Sequence, residues 1–397
     1  MGVQLFRDHE QEGSQFPRHM FRFWCFVKDL ITGEAENHKN TAETANGRLA
    51  RKYQHVSIGN YLDSEHYSPS FKYDYLIPLL WSMAPDRALM DFPVTSLVKY
   101  LWNHELYRDD EPDWVTIPGG AAQFIRAVTE DHPDDCKHTA TEIAEVVPEV
   151  DGKVLLRTKS EEFLFDHVIL AVQADRALDL LGDSATPQER EILECFRTTQ
   201  SIAVLHADTS LLPKQPTVCT ISNHDDETPL PRQEVHSTSK MCLTYCLNRL
   251  QQIPEEHFDP LLLTVNPIHP PCPDLIRRID EYSHPVYDAQ AVKAQKLLHN
   301  IQNKRGISYC GAWTRHGLHE ECFDSGLGVA QDHFGAMLPF EFVDWWSLPT
   351  KRPPANPWEC FTRFWLFLMW FCTSLWGFLT ATMDLVLEKR RTRTKGS

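Results

Sequence analysis

Apolar positions along the chain change their spacing several times, and each change predicts a different kind of element. The first 110 or so residues read as mostly helical and aromatic-rich, interrupted at Pro69, Pro78, Pro85 and Pro93. Ser57 stands before Ile58-Gly59-Asn60-Tyr61-Leu62 as a candidate N-cap, its side chain able to accept from a free helix N–H. The apolar run Tyr75 to Trp81 predicts a buried element broken by Pro78.

From Trp114 the texture shifts. Gly119-Gly120 permits a tight turn, with a helix expected through Phe124 to Val128. Thr141 to Val150 and Lys153 to Thr158 are β-prone runs, and Asp151-Gly152 between them is a hairpin cue. Phe165 to Val172 is a short apolar run of the kind that forms a buried, often parallel strand, followed by a helix at Asp175 to Leu181. Four strand-like segments then follow: Ile202–His206, Val218–Ile221, Met241–Tyr245 and Leu261–Val265. Without long helices between them they predict an antiparallel sheet. The polar, proline-containing insert Asp225 to Lys240 reads as a surface loop. Helical spacing returns at Asp288 to Gln302, with Ala291, Ala294, Leu297, Leu298 and Ile301 on one stripe. A strand at Ile307 to Cys310 ends at Gly311, and a helix is expected to open near Ser325-Gly326. No internal repeat is visible.

At 397 residues, 42% hydrophobic and 24% charged, the chain can bury a large core and is expected to form two interleaved domains. Its formal charge of −16 argues against a nucleic-acid surface, which needs a clustered positive field. The main basic cluster is confined to Lys389 to Lys395. Eleven cysteines are scattered without a CxxC pair, and Cys242 and Cys246 lack partners at zinc-like spacing, so reduced thiols in a cytosolic compartment are expected. Residues 1–10 hold no apolar signal segment, and Phe6 stands where the myristoylation pattern requires Ser or Thr.

Candidate chemistry gathers near the C-terminal third. Gly311, then Ser325-Gly326-Leu327-Gly328 at an expected helix start, would let backbone approach a bound group. The free N–H groups there favour an anionic or electron-rich partner. Strand–glycine–loop–helix units are also common as plain packing. His316, His319 and Glu320 could suggest a metal, but no third ligand follows at a recognisable spacing, so none is expected. His319 remains a candidate acid or base. His206 and Asp208 share a strand face, which reads as a structural pair because no nucleophile elbow accompanies them. Tyr245, Asn248 and Trp313 are candidate substrate-pocket residues, set against the commoner role of sheet aromatics as core.

Motifs in order along the chain point further. They are SIGNYL (57–62), YSPSFKYDYLIPLLWS (67–82), WVTIPGGAAQFIRAV (114–128), FDHVILAVQADRALDLL (165–181), VLHAD (204–208), TYCLNRLQ (244–251), LTVNP (263–267), YCGAW (309–313) and HGLHEECFDSGLGVA (316–330). Together these resemble the flavin-containing amine oxidase superfamily, in a bacterial and fungal branch of FAD/NAD-binding oxidoreductases, over residues of about 20 to 340. The resemblance implies a mixed α/β (α+β) fold: an FAD-binding Rossmann-like domain assembled from separated segments, with an inserted antiparallel-sheet substrate domain. It divides the chain into a helical part of the substrate domain (1–113), an FAD-domain segment (114–184), the antiparallel sheet (185–304), an FAD-capping segment (305–340), and a linker and tail (341–397). It implies that Ile143 meets the adenine through a backbone group. Gly311 and Ala312 would lie by the ribityl-diphosphate, and Ser325, Gly326 and Leu327 would cap the isoalloxazine.

Two local departures stand out. Ala312 follows Gly311 where many relatives carry an acid, and His319-Glu320-Glu321-Cys322 replaces an HEDG-like pattern. The GxGxxG turn that holds the FAD diphosphate in the family is absent from these 397 residues, so the Rossmann-like domain is expected to be incomplete. At the other end, 364–383 is a run of twenty uncharged residues rich in Phe, Leu and Trp, about long enough to cross a bilayer. With the basic residues 389–395 behind it, this C-terminal hydrophobic helix predicts membrane attachment of a body lying in the cytoplasm. Two readings result. One is a membrane-attached FAD-dependent oxidoreductase of amine-oxidase type, passing a hydride from a small, apolar metabolite to flavin N5. The other is a non-catalytic relative or fragment that binds no FAD and serves as a membrane-attached interaction protein.

Overall fold

The computed structural model describes residues 15–38, 44–80, 87–104, 106, 115–212, 219–223, 241–256, 258–342, 357–358, 360–365 and 368. Residues through Lys351 form one compact unit and Arg352 onward another. The insert at 225–240 and the basic cluster at 389–395 lie outside the described residues. So does the apolar run 364–383, except for Phe364, Trp365 and Leu368. Among the described residues no helix is long and apolar enough to cross a membrane.

The N-terminal part is helical, as its spacing predicts. Helix α1 (Gln15–His38) buries Phe23, Val27, Leu30 and Ile31, one stripe at helical intervals. Helices α2 (Ala45–Lys52) and α3 (Ile58–Ser64) open on side-chain caps, Thr44 to the Gly47 N–H and Ser57 to the Asn60 N–H. Between Phe71 and Leu76 the turns widen, and the Ile77 N–H reaches back to the Lys72 carbonyl. An ordinary α-helical turn, Ile77–Leu79, follows, with the Leu80 N–H bonded back to the Leu76 carbonyl. Helix α4 (Val94–Asn103) closes the layer with Val94, Leu97, Val98 and Leu101 turned inward. Aromatic pairs fill the space between these helices, with Phe26 stacked on Tyr61 at a 4.0 Å centroid distance.

A second core lies around a small α/β unit. Strands β1 (Ile143–Pro148), β2 (Val154–Thr158) and β3 (Glu162–Phe165) form an antiparallel meander turned at Asp151-Gly152. The expected run Phe165 to Val172 is divided: Phe165 ends β3, and only Val168–Leu170 forms β4, which is parallel to β10 (Ile307–Tyr309). Helix α5 (Ala121–Thr129) buries none of its residues. Helix α6 (Ala174–Leu181) packs Ala174, Ala177, Leu180 and Leu181 against this core. Helices α7 (Pro187–Leu193) and α8 (Ala289–Leu297) supply Ile192, Leu193, Ala291 and Ala294.

The antiparallel sheet has five strands, in the order β6-β7-β8-β5-β9. Four of them, β5 (Thr198–His206), β6 (Cys219–Asn223), β7 (Met241–Cys246) and β8 (Leu262–Val265), match the expected segments. The fifth, β9 (Ile276–Pro285), is an unexpected edge strand carrying Arg277, Arg278, Asp280 and Glu281. Charges of this kind hide an edge strand from an apolar pattern and also discourage edge-to-edge pairing. His206 is fully buried within the sheet, its Nε2 2.7 Å from Thr264 Oγ1, which lies 2.9 Å from Thr244 Oγ1. The Asp208 N–H donates to His206 Nδ1, and the Asp208 carboxylate bonds Ser210 and the Cys272 N–H. His206 is thus a structural tie, although β5 ends at His206 and Asp208 lies beyond the strand, capping the turn Thr209–Leu211, so the two do not share a strand face.

A buried carboxylate joins the second core's elements. Glu189 is 2% exposed. It accepts from the Thr186 N–H and hydroxyl, from the Tyr309 phenol at 3.0 Å, and from the Arg305 guanidinium. Burial pushes its pKa up, but Arg305 and the Thr186 groups outweigh that and hold it below the ordinary carboxylate range. Replacing Glu189 by Ala leaves Arg305, Tyr309 and the α7 N-terminus without their acceptor. The expected cost is about 3 kcal/mol, read as a lowered midpoint in thermal or urea unfolding.

Candidate functional site

The junction between β10 and the last helix is where the sequence places its chemistry. β10 turns the Gly306 carbonyl and the Cys310 N–H toward β4, bonded to the Val168 N–H and the Leu170 carbonyl. Alternation then sends the main-chain groups of Ile307, Tyr309 and Gly311 to the opposite edge. Each finds a partner there. Ile307 exchanges both bonds with Lys304. The Tyr309 N–H and carbonyl are bonded by the Gln302 carboxamide at 2.8 and 2.6 Å, as a neighbouring strand would do. The Gly311 N–H donates to Ser325 Oγ at 2.8 Å. The edge where another strand could add is therefore closed by two nearby residues and a helix hydroxyl.

Gly311 has φ +140°, and a Cβ there would come within 2.9 Å of Trp313 Nε1. That indole cannot yield easily: it donates to the Val172 carbonyl at 2.8 Å and meets Phe196 edge-on at 4.6 Å. Trp313 is almost wholly buried in the second core, so its ring is engaged in packing. The short helical turn Ala312–Thr314 is held to α8 by Gln295, whose Nε2 donates to the Trp313 and Arg315 carbonyls.

The helix expected to open near Ser325 opens six residues earlier. Helix α9 spans His319–Phe334, which puts Ser325, Gly326 and Leu327 inside it, with N–H groups no longer at a free terminus. The physical reason is Glu321. At the third helical position its carboxylate accepts from the Leu318 N–H at 3.2 Å and the His316 N–H at 2.8 Å, while contacting His316 Nδ1 at 2.8 Å. The helix start is thus occupied by the chain's own negative charge. Burial raises the Glu321 pKa, but the bonds from His316 and Leu318 prevail and hold it below its usual range. The open feature of α9 is Gly326, where a Cβ would meet nothing within 4 Å.

Of the other expected site residues, Ala312 lies at the junction, and its carbonyl is 3.4 Å from the Tyr287 hydroxyl. Ile143 opens β1, and its carbonyl accepts from Arg176 at 3.1 Å. His319 is exposed at the start of α9 and faces the Phe124 ring of α5 at 5.0 Å. Tyr245 belongs to β7 and packs on the helical core, and the Asn248 Oδ1 accepts from the Leu261 N–H at 2.6 Å. The structure therefore brings Gly311, Ala312, Trp313 and Ser325 together, and places Tyr245 and Asn248 on the antiparallel sheet and its end. Among the described residues no cluster of His, Cys, Asp and Glu could hold a metal ion. Gln302, Gln295 and Glu321 were not anticipated. Of these only Glu321, three positions after Leu318 at a helix start, carries a local signal.

No described protein family matches the sequence, and no curated protein does. Among solved structures, a putrescine oxidase mutant with redesigned cofactor binding is similar over 83% of this chain and 77% of its own, with 10% identity and a TM-score of 0.50. Cyclohexylamine oxidase from Brevibacterium oxydans is similar over 81% and 76%, with 9% identity and a TM-score of 0.49. A fatty acid isomerase from P. acnes is similar over 82% and 76%, with 16% identity and a TM-score of 0.45. The overall fold is shared with the putrescine oxidase.

Two outcomes test the junction. Gly311→Ala forces a side chain against a pinned indole at a positive φ, and should destabilise by about 1–3 kcal/mol in a denaturant titration. The Glu321 contribution is present above pH 4.5, its ordinary value, and is lost as pH falls through the lowered folded-state value. The melting-temperature gap between the native chain and Glu321→Gln should therefore be full at neutral pH and close on acidification.

Proposed function

We propose that this chain is a flavin-dependent oxidoreductase of amine-oxidase type. The observation that carries the reading is the parallel pair β4/β10 delivering Gly311 to α9, within a fold shared with a putrescine oxidase. The ordered motifs from Ser57 to Ala330 support the same family.

The residues present fit the flat end of FAD. The bare α9 surface at Gly326 faces open space, where an aromatic ring could lie against backbone without a Cβ intervening. When bound, FAD supplies the hydride acceptor for oxidation of a substrate C–H or C–N bond. The chain's own part is to orient and to exclude water. Gly311 fixes the turn, Ser325 holds it to α9, and Gln295 holds it to α8. His319, exposed beside Phe124, is the side chain proposed to exchange a proton with solvent. Tyr245 and Asn248 are proposed for the substrate side, and the apolar run 364–383 for membrane attachment, which suits an apolar substrate.

A second reading rests on a specific observation. Glu321 occupies the start of α9 and Ser325 takes the Gly311 N–H, so two groups expected to serve the cofactor are already used. A non-catalytic, membrane-attached interaction protein that binds no FAD fits that arrangement. Purification of the full chain with added FAD separates the two. Retained visible flavin absorbance, with FAD released on denaturation, is expected; colourless protein that takes up no FAD overturns the flavin reading.

A further inference from the structure

Strand β9 (Ile276–Pro285) lies at one edge of the large sheet, and among the described residues its only strand neighbour is β5. Which of its main-chain groups face outward follows from β5. Ile202 sends its carbonyl and its N–H to Asn266, away from β9. Ser201 and Ala203 on either side therefore turn toward β9, where Tyr282 and Asp280 stand opposite them. By alternation Ile279, Glu281 and Ser283 point their N–H and C=O groups past the edge of the sheet. Apolar side chains lie along the same strand: Ile279 is 59% exposed, Tyr282 is 50% exposed and Ile276 is half-buried.

An open edge can accept another strand, and the charges along it decide which. From Ile276 to Tyr282 the strand carries two cations, a central isoleucine and two anions, with an apolar residue at each end. Against an antiparallel second copy centred on Ile279, every charge meets its opposite. Arg278 faces the partner's Asp280, and Arg277 faces the partner's Glu281. Ile276 faces the partner's Tyr282, and the two Ile279 side chains meet. The same alignment sets the outward N–H and C=O of Ile279 against their own counterparts, as a hydrogen-bonded antiparallel pair requires. Moving the centre by one residue puts Arg278 on Arg278 or Asp280 on Asp280, and like charges directly opposite disfavour pairing. The charges that repel other strands thus admit a second copy in one register.

Two of these charges have partners within the chain. Arg277 holds Asp259 at 2.9 Å, and Arg278 holds Asp280 at 2.7 Å. Both are surface pairs, which water keeps weak. A guanidinium has five N–H donors, so each can take a second carboxylate without releasing the first. The register between β5 and β9 shifts at Arg277, which ends the regular ladder there and keeps the paired stretch short. A small interface of this kind gives a weak, concentration-dependent association.

We propose that β9 is a self-association surface, through which two copies of this chain pair antiparallel in the register centred on Ile279 and join their sheets into one. Sedimentation velocity of the full chain over a range of concentrations tests this. The mass is expected to rise from the 45.9 kDa of the monomer toward twice that value. Arg278→Glu and Asp280→Arg each set like charges opposite one another, and each should weaken the dimer at least about tenfold. An equimolar mixture of the two variants should dimerise again. The acid introduced in one chain then faces the base introduced in the other, and the remaining Asp280 faces the remaining Arg278. Mixing would not repair a damaged fold, so recovery reports on the pairing itself. A chain that stays monomeric at every concentration overturns the proposal. So does a dimer that both variants leave unchanged, or a pair of variants that mixing fails to restore.

Discussion

The structure around the candidate site depends on one demand: every main-chain group on the outer edge of β10 must find a hydrogen-bond partner. A strand with one neighbour leaves half its N–H and C=O groups facing away, and leaving them unpaired in a buried place costs as much as a lost bond. Here Lys304 and Gln302, which precede the strand, fold back to supply the partners for Ile307 and Tyr309. Ser325 supplies the one for Gly311. The position of α9 follows, because its hydroxyl must reach the Gly311 N–H. Glu189 adds a second restraint at the same strand by binding the Tyr309 phenol and tying it to α7.

Closing that edge reshapes the chemistry of the junction. A glycine turn and a helix terminus in free form would offer N–H donors to an anion. In this chain the turn donates to Ser325, and the terminus donates to Glu321, so fixed positive charge is left to side chains on α8, α9 and the loop between β10 and α9. The bare surface at Gly326 and the basic lining beside α8 are the features the closed edge leaves open.

How much of this was legible in the sequence depends on how local each signal is. The cap at Ser57, the Asp151-Gly152 hairpin, helix α6 and four strands of the large sheet are written in runs of a few residues, and they appear as read. The edge strand β9 escaped because Arg277, Arg278, Asp280 and Glu281 erase its apolar pattern. The start of α9 was misplaced because Ser325-Gly326-Leu327-Gly328 resembles a glycine-rich helix opening, whereas a carboxylate four residues earlier sets the first turn. The ties from Glu189 to Arg305 and Tyr309 join positions 116 and 120 apart, and no spacing rule reaches that far. The basic lining beside α8 is hidden for the same reason, being assembled from several separate stretches of chain.

The buried tie in the large sheet also bears on the order in which the molecule is put together. His206 on β5 bonds Thr264 on β8, 58 positions later, and the chain between them carries β6 and β7. β9, the other neighbour of β5, arrives later still. A strand made early thus stays without neighbours on either side until most of the sheet has been synthesised. Long loops must close before their contacts are rewarded, which makes such sheets slow to form and open to wrong pairing in the meantime. The histidine that fastens the finished sheet is, during synthesis, on the strand most in need of protection.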